Sequence, residues 1–258
     1  MLKNKPKKER RHSDILDALK FHPAKRVNDL ARDLEVSVET IRRDLAELDA
    51  EGRLRRTYGG AVRISTFEPA LAERIDLFVD EREKIVDVAV GLLGDADSLS
   101  IGGGATTLRF ARSLKALQRK TTVLTASLGI ALELASNPLF EVISLPGSVE
   151  SNEGLVHGPE TLRFLSEFRV EVAVIGASAI DHIGVSEALP VAADVYHAMI
   201  LNADHTIVVA DHSKFGKRSL KLILKWNPNC TLVTDKPPEK DILNSLARNQ
   251  VRIVVCDQ

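Results

Sequence analysis

The amino-acid sequence predicts an α/β protein in two parts, a small basic head made mainly of helices and a larger acidic body in which strands and helices alternate. The 258 residues, 44% of them hydrophobic, are enough for one or two buried cores. Residues 1–63 contain 16 Lys and Arg against 11 Asp and Glu, whereas the rest contains 19 against 25. This asymmetry favours a polyanionic partner for the head. From residue 98 onward, short apolar runs recur with helical patterns between them.

The head contains three short helical patterns. The first, SDILDALKFHP, starts at Ser13 as a capping residue and stops before Pro23, and the second, VNDLARDLEV, starts at Asn28. The third, VSVETIRRDLAELDAEG, ends at Gly52 and starts at Ser37, whose hydroxyl can accept a backbone N–H one turn on. Each pattern has apolar residues on one face, which predicts three amphipathic helices packed together.

The polar face of the third helix indicates a role for the head. Arg42 and Arg43 project away from the apolar face, and guanidinium groups bind phosphate oxygens or the edge of guanine. The following segment, RLRRTYGGA, predicts a β-wing anchored by Leu54. Together these elements predict a winged helix-turn-helix on double-stranded DNA, although a small helical bundle with a solvated basic face is the alternative. The residues expected to contact DNA are Ser37, Val38, Glu39, Thr40, Arg42, Arg43, Arg53, Arg55, Arg56 and Tyr58.

The head resembles the DNA-binding domain of DeoR-type bacterial repressors. The matching features are Val-Ser at 36–37, TIRRDL at 40–45, Leu48, Gly52 and GGA at 59–61. The resemblance implies that the third helix is the recognition helix and that the partner is operator DNA. We expect the winged helix-turn-helix to span residues 1–61.

The body is expected to span residues 81–258, after a linker over 62–80. A helix is predicted over AERIDLFVDEREKIVDVAVGLLGDADSL, the segment that starts at residue 72. Several of the later apolar runs lack alternation, as strands covered on both faces do, so we expect a mostly parallel sheet with right-handed crossovers. The runs lie at 98–101, 121–127, 140–147, 170–178, 205–213, 230–235 and 251–257.

Small and polar residues follow these runs, and in a parallel sheet they should converge on one cleft beyond the strand ends. GGGATT at 102–107 would offer backbone N–H groups at a helix N-terminus, which suits a phosphate or a carboxylate. A tight turn, a capping role for Asp211 and a surface position for Lys214 are the alternatives. The residues expected to bind an effector are Gly102, Gly103, Gly104, Ala105, Thr106, Thr107, Ser127, Gly147, Ser178, Asp211 and Lys214.

The body resembles the sensor domain of the same family, which in turn resembles the ribose-5-phosphate isomerase and coenzyme A transferase folds. The matching motifs are GGGATT at 102–107, LTAS at 124–127, LPG at 145–147, VHGPE at 156–160, IGASAID at 175–181, GVSE at 184–187, ADHSKFG at 210–216 and VTD at 233–235. The resemblance implies a phosphorylated sugar or a related metabolite as effector. Gly102, Ala126 and Tyr196 stand where the family usually has Asp, Asn and Lys, and we expect Gly102→Asp to restore a sugar-phosphate response if that acid alone was limiting.

The sequence thus predicts a transcriptional regulator that represses an operon of carbohydrate metabolism. The regulator is expected to be a homodimer or homotetramer, and a small metabolite is expected to release it from DNA. The alternatives are an isomerase-like enzyme with a DNA-binding head, in which Asp211 would be the acid, and a DNA-binder with an inactive sensor. No cofactor and no catalytic residue are expected. A metal is not expected either, because Cys230, Cys256 and the histidines lack ligand spacing. No apolar run has membrane-spanning length and no signal peptide is evident, so we expect a cytoplasmic protein with no membrane partner.

Overall fold

The computed structural model describes residues 7–21, 24–50, 54–57, 60–62 and 70–256. The chain divides into two compact units, residues 1–67 and 68–258, which are described separately below. The boundary between the units falls within the expected linker, 62–80. The finer domain limits expected from the sequence, 1–61 and 81–258, remain predictions. No described helix is both long enough and apolar enough to cross a membrane.

The first unit is a three-helix domain with a small antiparallel sheet. Its elements are α1 (Lys7–Phe21), β1 (Ala24–Arg26), α2 (Val27–Asp33), α3 (Val38–Ala50), β2 (Arg55–Thr57) and β3 (Gly60–Val62). Strand β3 lies between β1 and β2 and pairs with both, so the two strands of the wing are joined by a third that precedes α2. The buried core consists of Ile15, Leu19, Val27, Leu30, Ala31, Ile41, Leu45, Leu48 and Leu54. The predicted winged helix-turn-helix is confirmed.

Two of the three predicted helix starts in this unit are wrong. Ser13 lies inside α1, because the preceding Lys, Glu and Arg residues are good helix formers and extend the helix upstream. Asn28 is the second residue of α2, where Arg26 occupies the N-cap position in extended conformation without a side-chain cap. The start at Ser37 is confirmed, since its Oγ accepts the backbone N–H of Thr40 at 3.1 Å.

The second unit is a parallel sheet covered by helices on both faces. In chain order its elements are α4 (Leu71–Arg74), α5 (Val79–Gly91), β4 (Ser98–Ile101), α6 (Ala105–Leu114), β5 (Thr121–Thr125), α7 (Leu128–Leu134), β6 (Phe140–Ser144), β7 (Ser148–Glu150), β8 (Leu155–His157), α8 (Pro159–Leu165), β9 (Val170–Ile175), β10 (Ala179–Ile180), β11 (Gly184–Glu187), α9 (Pro190–Leu201), β12 (Ala203–Val209), a short 3-10 helix (His212–Lys214), β13 (Lys221–Lys225), β14 (Cys230–Thr234), α10 (Lys240–Arg248) and β15 (Arg252–Val255). Seven strands form the main sheet in the order β15-β14-β12-β9-β4-β5-β6, all parallel.

Two buried apolar clusters stabilise the second unit. One includes Leu99 and Ile101 of β4 with Phe110 of α6, and the other includes Ile175 of β9 with Tyr196 of α9. The predicted α/β class and the mostly parallel sheet are therefore confirmed.

Two features of the second unit differ from the sequence prediction. The single long helix expected from residue 72 is divided into α4 and α5, with Phe78 between them in left-handed conformation, and α5 ends at Gly91. Five short strands outside the main sheet were not predicted. They form the antiparallel pair β7-β8 and the antiparallel sheet β10-β11-β13. Strands of two to five residues leave too little sequence for a periodic pattern to develop.

Candidate DNA-binding surface and effector cleft

The start of α3 presents an ordered polar edge to solvent. Ser37 caps the helix, and its Oγ lies 2.8 Å from Thr40 Oγ1, so the two hydroxyl groups are fixed relative to each other. Ser37 and Glu39 are exposed, while Val38 and Thr40 are half-buried. These are the four residues expected to face base edges, and the structure places them together on the first turn of α3.

The two arginines of α3 point away from the core of the first unit. The side chains of Arg42 and Arg43 are 62% and 77% exposed. Arg42 Nη1 lies 3.9 Å from Glu39 Oε2, and Arg43 Nε lies 3.7 Å from Glu39 Oε1. Ion pairs at such exposure contribute little and are screened by salt. A phosphate group can therefore replace Glu39 at either guanidinium at small cost.

The buried side of α3 is fixed to α1 by an ionic network that the sequence did not indicate. Asp44 accepts hydrogen bonds from Arg11 Nε at 2.5 Å, from Arg11 Nη2 at 2.9 Å and from His12 Nε2 at 3.1 Å. Burial alone would raise the pKa of Asp44, but the hydrogen bonds and charge of Arg11, with those of His12, hold the pKa below its ordinary value. The network sets the orientation of the helix that faces solvent with Arg42 and Arg43.

His12, Asp44 and Glu47 also offer three ligand atoms within 4.8 Å of one another. The position of Arg11 argues against a cation there, because its guanidinium already binds both carboxylate oxygens of Asp44. The group is accordingly an ion-pair network of the protein, and Lys8 completes it with a 2.6 Å contact to Glu47.

The wing is described in part. Arg55 and Arg56 lie on β2, and the preceding Leu54 is fully buried, as expected of the residue that anchors the wing. Arg53 and Tyr58 lie outside the described residues. Their expected contacts with DNA, like those of Arg55 and Arg56, remain predictions.

The order of the strands in the main sheet defines where a ligand would bind. The chain proceeds outward from β4 through β5 to β6, then returns to β9 on the other side of β4 and proceeds outward through β12 and β14 to β15. The direction of winding thus reverses between β4 and β9. In open α/β sheets, the crevice beyond the carboxyl ends of the strands at such a switch point is the usual ligand site.

The glycine loop after β4 lies at this switch point. Gly102 donates its backbone N–H to Val174 O of β9 at 2.9 Å, so the ends of the two strands are held together. Gly104 precedes α6 with a φ of +130°, a conformation that L side chains rarely adopt. The Thr107 hydroxyl donates a hydrogen bond to Gly104 O at 3.1 Å and so stabilises the loop. The first backbone N–H groups of a helix have no partner within the helix and suit an anion, so the binding of an effector at the start of α6 stays a prediction.

Tyr196 of α9 fills the space beside the first two glycines. Its hydroxyl donates to Gly103 O at 3.2 Å, and its side chain is buried. A Cβ atom at Gly102 would lie 3.2 Å from two ring carbons of Tyr196, and one at Gly103 would lie 3.1 Å from the hydroxyl oxygen. The residues at 102 and 196 therefore pack directly against each other, and the size of one limits the size of the other. Ala126 is also fully buried, and its carbonyl accepts Val156 N–H at 2.7 Å.

Several residues expected to bind an effector also make hydrogen bonds or close contacts within the loops at the strand ends, and their binding of an effector stays a prediction. Ser127 caps α7 by accepting Ile130 N–H at 3.4 Å, and Ser178 donates to Glu187 Oε1 at 2.8 Å. Gly147 has a φ of +144°, and a Cβ there would lie 2.3 Å from Thr161 Oγ1. These residues lie at strand ends as predicted, but their described contacts are internal to the protein.

Asp211, beyond the end of β12, is fully buried, and both of its carboxylate oxygens accept hydrogen bonds. It accepts Arg82 Nε at 3.2 Å through one oxygen, and the N–H and Oγ of Ser213 at 3.1 and 2.5 Å through the other. Burial lowers the pKa of Arg82, and the charge of Asp211 opposes that shift. Asp211 thus caps the 3-10 helix that contains the half-buried Lys214. Arg82 was not expected at this site, because 129 residues separate it from Asp211.

The fold defines a protein that combines a winged helix-turn-helix with a parallel α/β domain. Sequence comparison gives the family. A model of the DeoR-like helix-turn-helix domain matches residues 11–67, and a model of the DeoR C terminal sensor domain matches residues 78–236. The chain belongs to the DeoR family of transcriptional regulators.

Curated relatives are similar over nearly their whole length. The chain is 31% identical to the HTH-type transcriptional repressor GlcR of Bacillus subtilis over 252 residues, 97% of each protein. It is 28% identical to the glycerol-3-phosphate regulon repressor of Escherichia coli over 97% of this chain and 100% of that protein. Among solved structures, ribose 5-phosphate isomerase A of Methanocaldococcus jannaschii aligns with a TM-score of 0.41 and 18% identity, over 54% of this chain and 56% of that one.

Proposed function

We propose that this protein represses an operon of carbohydrate metabolism and that a small metabolite, bound in the second unit, releases it from DNA. The exposed arginine face of α3, fixed from behind by the Asp44 network, is the observation that supports this most directly. The relatives named above are transcriptional repressors, one of them of the glycerol-3-phosphate regulon. The partner is double-stranded operator DNA.

On DNA, α3 would lie in the major groove with the wing on the phosphates. Ser37, Val38, Glu39 and Thr40, on the first turn, are placed to reach base edges, whereas the arginines behind them would contact phosphates and position the helix. A homodimer or homotetramer would present two such helices to two half-sites. A cytoplasmic location follows from a DNA partner.

The effector would bind at the switch point with its anionic group at the start of α6. Backbone N–H groups and the helix dipole favour a phosphate or carboxylate there, and Lys214 would supply a positive charge. Tyr196 fills the space beside Gly102 and Gly103, which are both buried, so the ligand would lie next to the half-buried Gly104. A phosphorylated sugar or a related phosphorylated metabolite is the class that we propose.

The hydrogen bonds of Asp211 favour a regulator over an isomerase-like enzyme. Both oxygens of this acid accept hydrogen bonds, from Arg82 and Ser213, and general base catalysis requires an oxygen within reach of the substrate. Turnover of a pentose phosphate by the full chain would contradict this preference.

Two measurements on the full chain test the proposal. Duplexes selected from a random library should converge on one sequence with dyad symmetry, and failure to enrich any sequence would exclude a sequence-specific regulator. A thermal-shift screen should then compare matched ligands, glycerol 3-phosphate with glycerol and glucose 6-phosphate with glucose. A phosphorylated member should raise the melting temperature and weaken binding to the selected duplex. If none of a wider set of sugars and organic acids does so, the sensor is inactive.

A further inference from the structure

Residues 71–82, which contain α4 and the start of α5, lie against the loops that surround the candidate cleft. Arg82 pairs with Asp211 at the end of β12, and both side chains are almost completely buried, at 3% and 0% exposure. Arg74 pairs with Glu153, in the turn between β7 and β8. We call residues 71–82 the strap, since two ion pairs attach it to two different loops.

The two ion pairs of the strap are directly connected. Arg82 Nη1 donates to the carbonyl oxygen of Arg74 at 2.5 Å, so one continuous path runs from Asp211 through Arg82 and Arg74 to Glu153. Buried charges of this kind are costly unless each keeps its partner, so the path resists partial changes. A shift of either loop must move the strap or break an ion pair.

The Glu153 end of the path reaches the wall of the glycine loop. Leu128 N–H donates to Gly154 O at 3.0 Å, and Ser127 forms a bridge with Leu155. Leu155 in turn packs on the glycine loop, where a Cβ at Gly103 would lie 3.4 Å from its side chain. Arg109 on α6 provides a further contact, because it donates to Ile75 O of the strap at 3.2 Å.

The strap also contains a strained residue. Phe78 adopts φ 51° and ψ 43° between α4 and α5, a left-handed conformation that is unfavourable for a bulky side chain without local hydrogen-bonding groups. Its ring packs edge-on against His212, with centroids 5.5 Å apart, and His212 follows Asp211 directly. Such strain persists only where surrounding contacts impose it, and strained residues cluster at active sites, ligand clamps and switch regions.

We propose that the strap is the relay by which occupancy of the cleft reaches the DNA-binding unit. In the sequence, α4 follows the wing after residues 63–70, so the strap contains the first helix of the second unit. A ligand that binds at the glycine loop and displaces the β7-β8 turn or the loop after β12 changes the ion pairs of the strap. The inference depends on the function proposed above, and it assigns the regulatory step of that function to Arg74, Glu153, Arg82, Asp211 and Phe78.

The test breaks the partly exposed end of the path without a ligand. Glu153→Gln removes the charge that holds Arg74, and the matched control is Glu133→Gln on α7, which removes the charge facing Arg112 and Lys115. The two carboxylates have similar exposure, 22% and 26%, and both changes add the same net charge. We expect Glu153→Gln to weaken binding to the selected duplex by about fivefold or more, the lower range of allosteric coupling, with no change in the control.

Two further measurements distinguish a failure of the relay from a failure of the proposed function. Hydrogen exchange should show faster exchange of the amides of residues 71–78 in Glu153→Gln alone, and Arg74→Gln combined with Glu153→Gln should weaken binding no more than either change alone. Faster exchange with unchanged duplex affinity would overturn the relay, as would equal effects of Glu153→Gln and Glu133→Gln. Failure of the wild-type chain to bind any selected duplex would instead refute the proposed function.

Discussion

The recognition helix α3 and the glycine-loop cleft use polar residues in opposite ways. On α3, Arg42 and Arg43 face solvent, and among the described residues their ion pairs are the weak ones with Glu39, so another molecule can replace that partner. Around the glycine loop, Asp211, Ser127 and Ser178 are buried and hydrogen-bonded within the protein. A surface for a large polyanion can keep its charges hydrated until binding, whereas a small cleft must first hold its own loops in place.

The largest expected effect comes from breaking an inward-facing pair of the cleft. Asp211→Asn leaves the charge of Arg82 buried without a counter-charge, and we expect a loss of about 3–5 kcal/mol in the free energy of unfolding of the second unit. Chemical denaturation measures it. The control Asp204→Asn, which breaks an exposed pair with Arg169, should cost less than about 1 kcal/mol. Equal losses in the two variants would refute the difference between buried and exposed pairs.

The next effect concerns the packing of the glycine loop. Gly102→Asp would place its Cβ 3.2 Å from the ring of Tyr196 and bury a carboxylate beside it, so we expect about 1–3 kcal/mol of destabilisation instead of a simple gain of response. Combining Gly102→Asp with Tyr196→Ala should cost less than the sum of the two single changes, because the smaller residue provides the space. Additive losses by thermal denaturation would show that the two positions are independent.

The Asp44 network predicts an acid sensitivity of the first unit. The folded-state pKa of Asp44 is depressed, so its stabilisation is present above the unfolded pKa, about 4, and is lost as pH falls through the folded value. We expect wild type to lose more stability than Asp44→Asn as the pH falls from 5 through the depressed folded-state pKa of Asp44. Urea denaturation at several pH values measures this. Parallel pH profiles for the two proteins would contradict it.

The smallest expected effect comes from a change on the solvent-exposed face of α3. Arg43→Ala should weaken binding to the selected duplex by about tenfold and reduce the slope of log affinity against log salt by about one, as the loss of one phosphate contact does. Because Arg43 is exposed, stability should change by less than about 0.5 kcal/mol. Arg169→Ala, at 74% exposure in the second unit, is the control. An unchanged salt slope would remove Arg43 from the interface.

The same contrast explains what the sequence could predict. Helix α3 is a local structure, so its cap at Ser37, its apolar face and its exposed arginines all follow from residues within one short segment. The strand ends and their convergence follow equally well from alternating apolar runs. The contacts inside the cleft do not, because 93 residues separate Tyr196 from Gly103 and 129 separate Arg82 from Asp211. Nothing in the pattern around Arg82 distinguishes it from a surface arginine of an amphipathic helix.

The packing of Tyr196 against Gly102 has a consequence for how this pocket can change by mutation. An acid introduced at 102 meets the tyrosine ring, and a small residue introduced first at 196 leaves a cavity beside the loop. Each single change is therefore expected to lower stability, and the double change is expected to cost less than the sum of the two. The two positions are therefore expected to change together during evolution. A protein with Gly102 and Tyr196 is separated from one with an acid at 102 and a small residue at 196 by a less stable intermediate.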